Sequence, residues 1–122
     1  MIGYVTLGTN DMEKSAKFYD ELLAELGATR FMEMETFIAW AVNPQAPALS
    51  ITKPADGNAA SVGNGVMIAL SAANKEQVDA IYAKAIELGG SCEGPAGARS
   101  DNFYAGYFRD LDGNKLNIFC MT

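Results

Sequence analysis

The chain contains no histidine. The side chains that could carry chemistry are therefore mainly those with oxygen groups, the two cysteine thiols and the aromatic rings. Imidazole is the commonest transition-metal ligand and the commonest general base near neutral pH. Any mechanism that requires histidine is therefore excluded. Cys92 and Cys120 lie too far apart for a Cys-x-x-Cys zinc motif, and two cysteines are too few for a disulfide scaffold.

Aromatic side chains offer surfaces on which a planar ligand can stack. Four of them lie in segments predicted as strands, namely Phe37, Trp40, Tyr104 and Tyr107. The sequence does not decide on which face of its sheet Trp40 lies, since a shift of one residue exchanges the two faces. The groups that could act as acids or bases near a cleft are Tyr4, Glu33, Glu35 and Asp101.

The overall composition limits the class of protein. The chain has 122 residues, of which 49% are hydrophobic and 20% charged, and this predicts one folded domain with a core of its own. A formal charge of −6 makes nucleic acid and anionic membrane surfaces poor partners. No segment approaches the roughly eighteen apolar residues of a membrane span, and residues 1–10 do not resemble a targeting signal. We therefore expect a cytoplasmic protein.

The first half of the chain predicts one helix among four strands. Residues 2–8 are rich in strand formers, and Asn10 followed by Glu13 has the spacing of a capping box at a helix start. The apolar side chains after Met12 recur at helical spacing until Gly27, a typical helix stop. Three more strands are predicted over residues 28–34, 37–42 and 48–52, so the order is β-α-β-β-β.

The second half repeats this order. Residues 54–63 lack apolar periodicity and are predicted to link two repeats, at about 1–53 and 64–122. A strand over residues 66–70 is followed by a second capping-box spacing at Asn74 and Gln77. A shift of 63 residues aligns Leu7 with Leu70 and Tyr19 with Tyr82, and a shift of 67 aligns Phe37 with Tyr104, Trp40 with Tyr107 and Ser50 with Asn117.

Two tandem β-α-β-β-β modules predict an α+β fold in which curved mixed sheets surround a cleft. Each helix covers one face of its sheet, and the other face is left to form a concave site for a small molecule. Tyr19 and Tyr82 occupy the same position in the two helices, which favours packing against the sheets. Cys120 is out of phase with Asn117 and Phe119 and is expected on the helix side.

Several segments resemble one known family. They are residues 1–7, Asp11, the Phe18-Tyr19 pair, residues 65–70 and the turn segment 108–116. With them, the sequence resembles the vicinal oxygen chelate superfamily, which includes glyoxalase I, extradiol dioxygenases and bleomycin-resistance proteins. The turn segment is the most diagnostic, because family members usually have Asp-Pro-Asp-Gly-Asn there, and this chain has Leu111 where the proline would be.

The family's metalloenzymes hold a divalent ion with four strand side chains, usually His and Glu. The matching positions in this chain are Tyr4, Ser50, Met67 and Asn117. A phenol, a hydroxyl, a thioether and a neutral amide do not replace the three or so charged or imidazole ligands that a catalytic metal needs. The sequence therefore predicts no metal and no other cofactor. It favours neither glyoxalase I activity nor the usual metal-dependent dioxygenase activity.

The remaining cleft resembles that of metal-free family members that sequester antibiotics. We expect a metal-independent protein that binds an apolar or aromatic small molecule, neutral or cationic because the chain is acidic. The resemblance also implies a homodimer. The predicted ligand-binding residues combine the four matched positions with their neighbours on the same face and with aromatic side chains: Tyr4, Thr6, Trp40, Ser50, Met67, Tyr104, Tyr107, Asn117 and Phe119.

Three rival hypotheses stay open at this point. The first is an enzyme of the same superfamily, such as a lyase or isomerase, that uses a carboxylate or tyrosine as its base. The second is an enzyme with an oxygen-ligated Mg²⁺, Mn²⁺ or Ca²⁺. The third is a domain that binds a protein partner, in which the cleft is too small or too filled to accept a ligand.

Overall fold

The computed structural model describes residues 1–122, and their contacts divide the chain into two compact units, Met1–Val62 and Gly63–Thr122. Residues 54–62, predicted as part of a linker, make their contacts in the first unit. Asn10 fixes them, because its side-chain amide donates to the Ala60 carbonyl at 3.1 Å and accepts from the Ala60 N–H at 2.7 Å.

The first unit has one helix and one mixed four-stranded sheet. In chain order its elements are β1 (Tyr4–Gly8), α1 (Met12–Ala24), β2 (Thr29–Met34), β3 (Phe37–Ala41) and β4 (Ala48–Thr52). The strands are ordered β1-β4-β3-β2, with β1 parallel to β4 and the other pairs antiparallel. A register shift between Arg30 and Met32 bulges β2, which is an edge strand.

The second unit repeats this topology. Its elements are β5 (Ile68–Ser71), α2 (Lys75–Glu87), β6 (Ser91–Ser100), β7 (Phe103–Arg109) and β8 (Lys115–Met121). The strands are ordered β5-β8-β7-β6, with β5 parallel to β8. Two helices and two mixed four-stranded sheets confirm the predicted α+β fold and its β-α-β-β-β repeat.

The N-cap residue predicted from the sequence is confirmed for α2 and is wrong for α1. Asn74 caps α2 as predicted, since its side chain accepts from the Gln77 N–H at 2.9 Å. The cap of α1 is Asp11 and not the predicted Asn10, because the Asp11 carboxylate accepts from the Lys14 N–H at 3.1 Å. Asn10 is engaged by the backbone of Ala60 instead.

Each unit has its core between its helix and one face of its sheet. In the first unit, Tyr19 and Leu22 of α1 are fully buried along with Ile51 of β4. In the second, Ile81 of α2 and Ile118 of β8 are fully buried. Burial of one such side chain contributes about 1.5–3 kcal/mol. Neither helix is both long and apolar enough to cross a membrane.

Candidate functional site

The face of the first sheet that points away from α1 carries small and aromatic side chains. Strand alternation and register place Tyr4 of β1, Ala48 of β4 and Ala39 of β3 on this face. The neighbouring residues Ile38 and Trp40 point to the other face and are buried. We call the face with Tyr4, Ala39 and Ala48 the cavity face.

The cavity face holds an open cavity of about 390 Å³, large enough for a small molecule. Its walls are apolar and aromatic, with no charged side chain. They are formed by Gly3, Tyr4, Phe31, Met32, Met34, Phe37, Ala39, Ala41, Pro44, Ala46 and Ala48. The rings of Tyr4 and Phe37 meet edge to face with their centroids 6.0 Å apart. The Tyr4 side chain is accessible, with 62% of the residue exposed.

Of the residues predicted in the first unit, Tyr4 alone lines this cavity. Thr6 and Ser50 lie opposite each other on the cavity face but are not part of the wall. Thr6 is exposed, whereas Ser50 is fully buried and its hydroxyl donates to the Val5 carbonyl at 2.6 Å. Ser50 therefore has a partner within the sheet and needs none from a ligand.

The structure corrects the prediction that Trp40 lines the cavity. Trp40 is 2% exposed, and its ring packs against Tyr19 of α1 with the centroids 5.7 Å apart. Its indole Nε1–H donates to the Asp20 carboxylate at 2.9 Å, and the same carboxylate accepts from the Arg30 guanidinium at 2.9 and 2.8 Å. The hydrogen bond from Arg30 is the main cause that lowers the pKa of Asp20. Trp40 thus joins the helix to its sheet.

The second unit brings three of its predicted residues to one face. Asn117 and Phe119 of β8 lie on the face that points away from α2, and Tyr107 of β7 is the register partner of Asn117. We call this the strand face. The ring of Phe119 stacks on Phe103 with the centroids 5.5 Å apart. Met67, which precedes β5, is 38% exposed.

Tyr104, another predicted ligand-binding residue, lies on the face that packs against α2 and not on the strand face. Its hydroxyl donates to the Asp79 carboxylate of α2 at 2.7 Å, and this hydrogen bond is the main cause that raises the pKa of Tyr104. Cys120, its register partner, is buried on the helix side as predicted. Tyr82 packs on the sheet as predicted, where a Cβ at Gly106 would lie 2.9 Å from its ring.

The error at Trp40 is one of register, whereas Tyr104 lies three residues from Tyr107 in the same strand and is therefore on the opposite face by strand alternation alone. In the structure, Ser50 pairs with Ala39 and the equivalent Asn117 pairs with Tyr107, so Ala39 and not Trp40 is the counterpart of Tyr107. The sequence alignment of the two repeats was one residue out of register in this strand. A slip of one residue moves every side chain to the other face.

The donor set at the family's metal-ligand positions does not fit a metal ion. Ser50 gives its hydroxyl to a backbone carbonyl, and Tyr4, Met67 and Asn117 offer a phenol, a thioether and a neutral amide. No group of three His, Cys, Asp or Glu side chains that could hold a metal occurs among residues 1–122. The four family positions therefore do not supply the ligands of a transition-metal site.

The candidate bases do not converge on the cavity. Glu33 points to Arg30, with which it forms an ion pair at 2.5 Å, and Glu35 and Asp101 lie in turns after β2 and β6. Of the four candidates only Tyr4 is in the cavity wall. A base within reach of a bound substrate must therefore be sought among groups other than these carboxylates.

The contribution of β2 to the cavity was not predicted from the sequence. Phe31, Met32 and Met34 are exposed on this edge strand and line the cavity, although adjacent residues of a regular strand point to opposite faces. The bulge between Arg30 and Met32 breaks that alternation. The signal in the sequence was the run of large apolar residues in a strand that has few core positions.

Known proteins resemble this chain over its whole length. The model of the Glyoxalase/Bleomycin resistance protein/Dioxygenase superfamily matches residues 1–118. Among solved structures, a glyoxalase/bleomycin resistance protein from Albidiferax ferrireducens is 38% identical, with 100% of this chain and 99% of that chain covered and a TM-score of 0.91. No protein with a curated description matches.

More distant structures share the fold. A family enzyme from Burkholderia phytofirmans is 17% identical, with 98% of each chain covered and a TM-score of 0.79. A lactoylglutathione lyase from Agrobacterium tumefaciens is 19% identical, with 98% of this chain and 92% of that chain covered and a TM-score of 0.72. The topology, the turn segment and the match over residues 1–118 lead to one conclusion: the chain belongs to the glyoxalase/bleomycin resistance protein/dioxygenase superfamily.

Proposed function

We propose that this chain is a metal-independent binding protein for an apolar or aromatic small molecule, working as a homodimer in the cytoplasm. The observation that carries the proposal is the cavity of about 390 Å³ with an apolar and aromatic wall. Pockets for small molecules fall in the range of about 300–1,000 Å³ and are mainly apolar. The lack of metal ligands at the family's positions supports binding without a metal.

The chemistry of the wall suggests the class of ligand. Tyr4, Phe31 and Phe37 present ring surfaces, and the thioethers of Met32 and Met34 adapt to irregular apolar shapes. A neutral aromatic molecule would gain from burial of its rings, and a cation would gain from the ring faces as well. An anion would find no charged partner in this wall.

Native mass spectrometry of the purified protein tests the metal and the oligomeric state together. We expect a species of twice the 13.0 kDa chain mass, without a stoichiometric metal, and with any organic ligand that was retained during purification. A stoichiometric divalent ion would contradict metal independence and favour an enzyme with oxygen ligands. A monomer would contradict the homodimer.

Titration with indole and with benzyltrimethylammonium, followed by ¹⁵N NMR, tests the cavity itself. We expect the shifts to map to β1 to β4. Ala48→Phe and Ala46→Phe place a ring in the cavity and should weaken binding by about ten-fold or more, since the lost burial is on the order of 1.4 kcal/mol. Ala55→Phe, on the exposed loop after β4, is the matched control and should bind as wild type. Equal affinity for all variants would refute the cavity as the site.

A further inference from the structure

The first unit has a second cavity, on the helix side of its sheet. It has a volume of about 570 Å³ and lies between the start of α1 and the turn that joins β2 to β3. Ile38 of β3 lines it, and strand alternation puts Ile38 on the face opposite to Ala39. The two cavities are therefore on different faces of the sheet, and Met34 at the sheet edge borders both. We call the second one the helix-side cavity.

The apolar part of the helix-side cavity is aliphatic. Ala16 of α1 and Ile38 are buried, with 3% and 5% of each residue exposed, and Met12 is half-buried. No aromatic ring contributes to the lining. An aliphatic chain placed here would gain from burial against these three side chains, and a planar ligand would find no ring on which to stack.

The helix-side cavity is also lined by charged side chains of both signs that do not pair with one another. Glu13, Glu35 and Lys53 take part in no ion pair. The other charged groups of the lining, Arg30 and Glu33, are paired with each other at 2.5 Å. Opposite charges that share a cavity without meeting leave room between them for a group that contacts both.

Backbone hydrogen bonds hold Lys53 and Glu35 at the same end of the helix-side cavity. The Lys53 N–H donates to the Thr36 carbonyl at 3.0 Å, and the Thr52 hydroxyl donates to the same carbonyl at 3.1 Å. Thr36 follows Glu35 in the turn after β2. Glu13 lines the cavity from the first turn of α1. One ammonium and two carboxylates thus border the cavity beside its aliphatic lining.

We infer that the helix-side cavity binds a free aliphatic amino acid in its zwitterionic form. Lys53 receives the α-carboxylate, and Glu13 and Glu35 receive the α-ammonium. The aliphatic side chain of the ligand covers Ala16 and Ile38. The zwitterion has no net charge, so the acidic character of the chain does not oppose its binding. The site is independent of the function proposed for the cavity face.

Titration with L-leucine, followed by ¹H–¹³C methyl NMR of the full chain, tests the inference. We expect saturable shifts at the methyl groups of Met12, Ala16 and Ile38, while Ala39 and Ala48 on the cavity face stay unchanged. Absence of saturable shifts would refute the site. Shifts confined to Ala39 and Ala48 would also refute it and would leave the cavity face as the binding site.

Two analogues of leucine test its two charged groups separately. Isoamylamine lacks the carboxylate, and 4-methylpentanoate lacks the ammonium. Each should bind about five-fold or more weakly than leucine, since each loses one of the two charge-assisted contacts. Equal binding of the amine would overturn the role of Lys53, and equal binding of the acid would overturn the role of Glu13 and Glu35.

Variants separate the site from general electrostatics. Lys53→Gln and Glu35→Gln should each weaken the binding of leucine by roughly five-fold, as the loss of one charge at contact distance implies. Lys53→Gln should not weaken isoamylamine, which has no carboxylate for Lys53 to receive. Glu21→Gln is the matched control, because Glu21 is exposed on α1 outside the cavity, and it should bind leucine as wild type. An equal effect of Glu21→Gln and Glu35→Gln would refute the site.

Discussion

Asp20 and Asn117 are two polar side chains at the borders of their cores with opposite hydrogen-bond states. The Asp20 carboxylate accepts from the guanidinium of Arg30 and the indole of Trp40, whereas the Asn117 oxygen is buried without a partner. The first arrangement contributes to stability. The second costs stability, because a buried acceptor without a partner has lost its hydrogen bonds to water.

The hydrogen bonds that the Asp20 carboxylate accepts make the free energy of unfolding depend on pH. Its pKa in the fold lies below the ordinary value of 3.8, so its contribution is present above that value and is lost as the pH falls through the lower folded pKa. Asp20→Asn should lower the free energy of unfolding by about 1 kcal/mol at neutral pH, a modest figure because the side chain is 41% exposed. Denaturant unfolding of both proteins should show the difference vanishing in acid. A constant difference across pH would contradict it.

The state of Asn117 predicts a gain in stability from an apolar substitution. Asn117→Leu removes an unsatisfied acceptor and should raise the free energy of unfolding by about 1 kcal/mol. Thermal unfolding is the measurement. Ser50→Ala at the equivalent position of the first repeat is the matched contrast, because Ser50 has its partner in Val5 and should lose about 1 kcal/mol. A loss of stability in both variants would show that Asn117 is satisfied in solution.

At the residue scale, the side chains of the core could be predicted from the sequence more accurately than the side chains that line a binding site. Tyr19, Tyr82 and Cys120 pack on the helix side as expected, since helical period and strand phase decide them. The sequence left the sheet faces of Trp40 and Tyr104 open, and both side chains lie on the helix side although they were counted among the ligand-binding residues. Register is set by pairing with neighbouring strands, which a single sequence does not reveal.

At the scale of elements, the order could be predicted in both units, and the approximate ends could be predicted for β1 to β5 and for the two helices. Gly27, with φ of +78°, ends the turn after α1 because a glycine takes the left-handed conformation without strain. The bulge in β2 and the irregular pairing of β6 with β7 could not be predicted. Because the bulged β2 supplies Phe31, Met32 and Met34 to the cavity wall, the cavity was harder to predict than the fold.

The helix caps provide a test at this scale. Asp11→Ala removes the side chain that accepts from the Lys14 N–H and should lower the free energy of unfolding by about 1 kcal/mol. Asn10→Ala leaves the cap in place and instead frees the Ala60 backbone, so it should increase protease cleavage in residues 54–62. Chemical unfolding and limited proteolysis distinguish the two roles. A larger loss of helix stability in Asn10→Ala would assign the cap to Asn10.

At the scale of the whole molecule, the two units share a topology but differ in the chemistry of their open faces. The cavity face is apolar and uncharged, and the strand face carries Arg99 and Lys115. Composition predicted an acidic protein and, from that, a neutral or cationic ligand. It could not predict the strand face, because net charge says nothing about where individual charges lie in a fold.

The proposed metal independence is tested on the whole molecule. Treatment with a chelator should leave the melting temperature and the affinity for indole unchanged, since a bound metal would stabilise the fold in proportion to its affinity. Differential scanning calorimetry with and without EDTA, and with added Mn²⁺, is the measurement. A rise in melting temperature with Mn²⁺ that saturates at one ion per chain would contradict the proposal.

The two methionines of β2 make the wall of the cavity sensitive to oxidation. Met32 and Met34 are half exposed and form part of the apolar wall, so peroxide reaches their sulfur atoms without any opening of the fold. Oxidation to the sulfoxide turns an apolar thioether into a polar group, and this change is reversed by methionine sulfoxide reductases. The affinity of the first unit for an apolar ligand would then fall and recover with the oxidative state of the cell.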